Sequence, residues 1–363
     1  MGEGGPPGPG PGRRRRGRGP GRLLRAAEVP ASMTERFILS GYRGPGESAA
    51  QCLASAFRAT NETGNFWTHF GALLLFAVHC RQPPPGPEGP PPPPAFFYPL
   101  WSYCLGVGGL LAGSSLAHLF SALSPEAREL CFYIDYGTIS AYTVGAALAY
   151  FYYIYPPRRA PGPGGNHSAG AGGPCALAGG AGPLGAWFEA LYLPSACLSA
   201  LLCTLACCAS RRQWPRHRYL VRTLVFLLPF LVVSLPVFHK LWRAGGGQRT
   251  GACFLRHCLW LLASGLFNVS KIPERFLPGR FDIWGHSHQW FHCCSFLSIL
   301  EELRMIRAEI QEAQPALPRE PTFLSTFGVM LLLLALLAGI VAWFGLQAYR
   351  AGHRAGAAAA KGD

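Results

Sequence analysis

Charge is what this sequence has least of. Only 14% of its 363 residues are Asp, Glu, Lys or Arg, while 50% are hydrophobic; soluble domains carry about 25% charged residues. That shortage excludes an ordinary water-soluble domain and points to an all-α polytopic membrane protein. Other absences narrow the chemistry. No C-x-x-C pair with zinc-finger spacing occurs, so the thirteen cysteines, many inside apolar runs (Cys131, Cys197, Cys203, Cys293), read as small packing residues. Palmitoylation is the alternative for Cys207-Cys208 and Cys293-Cys294. There is no Gly-rich phosphate loop, P-loop or nucleophile elbow. No apolar core of about 7–15 residues follows the Arg13–Arg16 run, so it is not a cleavable signal peptide. The net charge of +14 would suggest nucleic acid in a soluble protein. Here it reads as positive-inside charge plus a basic tail near anionic headgroups, and no nucleic-acid partner is expected.

What is present is a succession of apolar runs. Residues 1–45 form a basic tail, Gly/Pro/Arg-rich and expected to be disordered over its first 30 positions. Residues 46–60 suggest a short interfacial helix with Cys52, Leu53 and Phe57 on one side. The core, 61–300, divides into seven spans: 61–80, 95–123, 130–154, 187–208, 219–238, 252–269 and 283–300. Pro229 and Pro236 are expected to kink the fifth. A Pro-rich loop follows the first span. The loop 155–184 is low-complexity and carries the glycosylation pattern Asn166-His-Ser168. A polar linker (301–321) precedes a long, charge-free, Leu/Ala/Gly-rich run, an eighth transmembrane helix at 322–347, and a C-terminal tail closes the chain at 348–363. A cytoplasmic N-terminus puts the larger share of Lys and Arg inside and leaves Asn166 outside.

The polar residues inside these spans are few and they converge. His288 and His292 are one helical turn apart and so share a face. Counting about 1.5 Å per residue from the cytoplasmic ends puts His118 and Asp135 roughly 8 Å deep, with His288 and His292 roughly 8–14 Å deep. Three histidines and a carboxylate on three helices thus reach one layer. Three imidazoles with an open fourth position suit zinc. Asp135 would accept a proton from a bound water, and Ser114, one turn before His118, can hydrogen-bond an imidazole or that water. The competing reading is that each histidine only bonds a neighbouring helix. Glu62, Asn65 and His69 share a face at the start of span one and read as a cap and polar cluster. Arg256 and His257 are expected to snorkel near the outer surface.

Glu62-x-x-Asn65-x-x-x-His69, Ser114-x-x-x-His118, Asp135-Tyr136 and His288-x-x-x-His292 resemble the signature motifs of the progestin and adipoQ receptor (PAQR) family. Gly41-Tyr-Arg43 and the run Ile272–Trp284 belong to the same pattern, and the resemblance covers about residues 30–300. It implies a seven-helix core with a cytoplasmic N-terminus and Zn2+ held by His118, His288 and His292. For the progestin-receptor branch it implies a steroid ligand and a heterotrimeric G protein as partner. For the adiponectin-receptor branch it implies ceramidase-like hydrolysis, in which Asp135 and Ser114 would be the catalytic groups. The expected location is the plasma membrane, with endoplasmic reticulum or Golgi as alternatives.

Overall fold

A computed structural model describes residues 21–81, 91–155, 183–213, 217–244, 249–312, 317 and 319–362. The Arg13–Arg16 run, residues 82–90 of the Pro-rich loop and the low-complexity loop around Asn166 lie outside the described residues. Among those described, regular structure is helical: α1 (Ala49–Ala54), α2 (Thr63–Arg81), α3 (Tyr98–Phe120), α4 (Pro125–Ala149), α5 (Pro183–Gln213), α6 (Arg218–Val233), α7 (Leu235–Ala244), α8 (Arg249–Ser270), α9 (Ser287–Glu312) and α10 (Val329–Gly362). Single π-helical turns extend α4 (Tyr150–Ile154) and lead into α10 (Leu324–Gly328).

Local chemistry sets the helix ends. Ser48 caps α1 in a reciprocal capping box with Gln51. Ser124 accepts the Ala127 amide at 3.0 Å, and Pro125 follows it, where a missing N–H costs nothing. α1 turns Cys52 inward and leaves Leu53 exposed, as Phe57 is in the 3-10 turn that follows (Ser55–Phe57), so Cys52 does not share their side as expected.

Among the described residues, four helical stretches are long and apolar enough to cross a membrane: Pro94–Phe120, Trp187–Arg211, Arg249–Ser270 and Leu324–Arg354. The pair Tyr219–Val233 and Leu235–Trp242, bent by 53°, makes a fifth if it is one span. Helices α2, α4 and α9 fall outside that set, and they carry His69, Asp135, His288 and His292. Their polar residues are buried among the others, the arrangement a membrane imposes on groups that lipid cannot solvate. Exposed leucines on α6 (Leu224, Leu228, Leu231) and α8 (Leu259, Leu262, Leu266) give those helices an apolar outer face.

The last helix continues to Gly362, through the segment expected as a C-terminal tail, and boundaries at α6, α7 and α9 differ from expectation for physical reasons. The fifth span runs through Pro229 and breaks at Ser234, so Pro236 falls in the first turn of α7. The seventh helix begins at Ser287 rather than Ile283, after Gly285 at φ 81°. It then continues to Glu312, through the first half of the segment read as a polar linker. Met305, Ile306 and Ile310 are fully buried there, and the acidic residues are paired, Glu301 with Arg256 and Arg304, Glu309 with Lys240.

The core lies between α3, α4 and α9, around Tyr103, Val107, Leu111, Val144 and Leu148. α3 and α4 approach closely because glycine lets them: a Cβ on Gly106 would stand 2.9 Å from Tyr142 Cα, and one on Gly145 2.8 Å from Ser102 O.

Candidate metal centre and ligand cavity

The antiparallel α2 and α3 bring Glu62 and His69 beside His118, and the start of α9 adds His288 and His292. One nitrogen from each of His118, His288 and His292 lies within 4.8 Å of the others. All three rings stand within 5.1 Å of one another, centroid to centroid. Asp135 and Ser114, from α4 and α3, line the same cavity.

Two of the rings are oriented by neighbours. His118 Nδ1 lies 2.8 Å from Glu62 Oε2, which can only accept, so Nδ1 carries the proton and Nε2 is left with its lone pair. Thr68 already donates its hydroxyl to Asn65 O at 3.0 Å, so it accepts from His292 Nδ1 at 2.9 Å and again frees Nε2. His288 Nε2 faces His118 Nε2 at 3.2 Å. Two nitrogens bound to one tetrahedral zinc at about 2.0–2.1 Å would stand roughly 3.3 Å apart. The donor set therefore fits zinc. Neutral imidazoles with their lone pairs converging are suited to a metal and poorly suited to bonding each other.

Glu62 is itself fixed. Asn65 Nδ2 donates to its Oε2 at 2.9 Å, and Arg128 stands 3.7 Å from Oε1. This confirms the Glu62–Asn65 polar cluster but gives Glu62 a further role, as the partner of His118, that sequence reasoning missed. The available signal was the helical spacing that puts Glu62, Asn65 and His69 on one face. His69 stacks on His292, with centroids 3.6 Å apart and planes at 16°. Neither nitrogen of His69 has a hydrogen-bond partner among the described residues, and the ring lines the cavity.

Loops complete the frame. Arg43 is buried and donates to the carbonyls of His118 at 2.6 Å and Leu119 at 2.5 Å, closing the C-terminus of α3. Gly41 turns the chain into that position at φ 85°, where a Cβ would press on Asn61 N at 3.1 Å. Glu274 takes the Ser287 amide at 2.7 Å and also accepts the Ser287 hydroxyl, starting α9 one residue before His288. Asp282 accepts from Leu39 N and Ser40 Oγ, tying this loop to the N-terminal segment.

The cavity measures about 750 Å³ and runs from Arg36, Arg222 and Lys271 past the histidines into the bundle. Its walls are mostly apolar (Phe226, Phe230, Ile139, Leu261), with polar groups at separated points. At one such point Glu302, buried, accepts from Tyr150 Oη at 2.6 Å and from Tyr142 Oη. Along α9, His292 and Glu302 are roughly 15 Å apart at the helical rise. Leu262 and Leu266 also line the cavity while being 70% and 64% exposed, so it opens sideways between α6 and α8. His257, expected to snorkel, is instead buried against Ser298, its Nδ1 2.9 Å from Ser298 Oγ. Only its neighbour Arg256 reaches outward.

Comparison with known proteins gives a consistent result. Residues 57–301 match the family model described as haemolysin-III related. Membrane progestin receptor delta of Mus musculus is 35% identical over 313 residues, 83% of each chain. Membrane progestin receptor gamma-B of Danio rerio is 28% identical, covering 90% of this chain and 93% of its own. Membrane progestin receptor alpha of Cynoscion nebulosus is 26% identical over 80% of this chain and 77% of its own.

Proposed function

Because the chain belongs to the haemolysin-III-related (PAQR) family of multi-pass membrane proteins, we propose that it is a membrane receptor for a progestin-type steroid, with Zn2+ held by His118, His288 and His292. The observation that carries this reading is the 750 Å³, mostly apolar cavity that the three histidines line. A rigid, largely apolar ligand with polar groups near its ends suits such a space, the histidine centre meeting one end and Glu302 with its two tyrosines the other. His118 of α3 and His288 and His292 of α9 would hold the ion, which would supply Lewis acidity at the cavity wall; the protein's own contribution is to exclude water and orient the ligand. The reading includes a cytoplasmic N-terminus, residence in the plasma membrane and signalling through a heterotrimeric G protein, which rest on the charge distribution and on the family resemblance. Saturable, high-affinity binding of labelled progesterone to membranes from expressing cells is expected, and its absence where the protein is present would sink the reading.

A second reading has its own observation: Asp135 and Ser114 line the cavity beside the three histidines. That constellation suits a zinc-dependent hydrolase of lipid amides such as ceramide. The ion would supply Lewis acidity, while the Asp135 carboxylate would take the proton of the attacking water with Ser114 orienting it. Purified, zinc-loaded protein that releases no fatty acid from ceramide, or whose turnover survives His288→Ala, would dismiss it.

A further inference from the structure

The thiols of Cys80 and Cys104 lie 3.2 Å apart. Cys80 is in the last turn of α2 and Cys104 in the second turn of α3, and both are half-buried. The contact is at the opposite end of this antiparallel pair from Glu62 and His118. Arg307 of α9 donates to the carbonyl of His79, which places a guanidinium one residue from Cys80. A partly accessible thiol beside a positive charge is the setting in which thiol–disulfide exchange proceeds. By contrast, Cys203 and Cys207 stand a turn apart on one helix, where a bond would join nothing.

We propose that Cys80 and Cys104 form a disulfide that clamps α2 to α3 at the end remote from the histidines. Bonded sulfurs stand about 2.05 Å apart, so closure asks for a shift of roughly 1 Å, within reach of side-chain rotation. The oxidant is a disulfide of the secretory pathway. The thiolate of one cysteine attacks it to give a mixed disulfide, and the second thiolate displaces the oxidant's remaining sulfur. Two thiols become one S–S bond, and the two protons they lose pass to the oxidant's departing thiolates, so the oxidant leaves as two thiols. The clamp in the cell rests on the orientation proposed above: with the N-terminus in the cytoplasm, α2 ends at Arg81 on the extracytoplasmic side, where disulfides persist. The two helices so joined are those that carry Glu62, Thr68, His69 and His118, so the bond restrains the histidine centre from a distance.

Two arms separate the geometry from the orientation. In the first, the full-length protein is purified reduced in detergent and exposed to glutathione disulfide. A Cys80–Cys104 cross-linked peptide is expected in a non-reducing digest read by mass spectrometry. In the second, intact cells are treated with a permeant maleimide before lysis, and the same digest is read. Cross-linked Cys80 and Cys104 are expected, with either cysteine becoming alkylated when the other is replaced by Ser. A pair that stays open in both arms overturns the proposal on its geometry. A pair that closes in glutathione disulfide but is alkylated in cells overturns the native bond and argues against the proposed orientation. Thermal unfolding adds a functional readout: dithiothreitol should lower the Tm of the wild type and leave Cys80→Ser/Cys104→Ser unchanged, and equal shifts in both would contradict the clamp.

Discussion

At His118 the ring is held through Nδ1 by Glu62 and its backbone carbonyl by Arg43, so two residues that would never touch a metal set where Nε2 points. Glu62→Gln should keep the hydrogen bond and lose the charge that makes the imidazole a better donor. Zinc affinity, titrated against a chelator, is expected to fall about 10–100-fold while the protein stays folded. Arg43→Ala leaves buried carbonyls at the end of α3 without a donor and should cost about 1–3 kcal/mol of stability, read as a lowered Tm in detergent. The double substitution His288→Ala/His292→Ala should empty the site of zinc by elemental analysis, whatever the metal does for function. At this scale the three histidines were legible, because imidazoles in apolar runs are rare enough to be noticed. What Thr68, Glu62 and Arg43 do there was not, since hydroxyls, caps and basic residues near helix ends have ordinary reasons to be there. Their roles depend on which helices are neighbours, and spacing along one helix does not report that.

Helix α4 shows what a close approach contributes. Gly145 meets the backbone of Ser102 and Gly106 meets that of Tyr142, so any larger side chain must push α3 and α4 apart. Gly145→Val is expected to lower the Tm and weaken progesterone binding together, because Tyr142 and Tyr150 on the same helix line the cavity. A variant that lost neither would show that the two helices slide without consequence. Helix α9 carries the matching lesson about boundaries. Its second half reads as polar, yet Glu301 and Glu309 are ion-paired and Met305, Ile306 and Ile310 face inward. Charge suggested an end to the helix, and pairing allowed it to continue. In α6 and α7 the two prolines suggested two kinks: the chain bends by 53° at Ser234, two residues before Pro236, while Pro229 stays inside α6.

Across the whole molecule, composition correctly places the chain among helical membrane proteins, while the cavity is a property of packing that no run of residues announces. Its volume makes a direct test available. Thr143 lines it without being fully buried, so Thr143→Trp should fill space that a ligand needs. Progesterone binding is expected to fall more than tenfold with zinc content unchanged; retained binding would place the steroid elsewhere. The sideways mouth between α6 and α8 has a further consequence. A ligand entering there arrives dissolved in lipid, so the concentration the protein senses is that of the bilayer. Any dissociation constant expressed against the aqueous phase then contains a partition coefficient, and two steroids with the same fit to the cavity would rank by lipophilicity alone. Dose–response curves should shift to the right in proportion to added lipid.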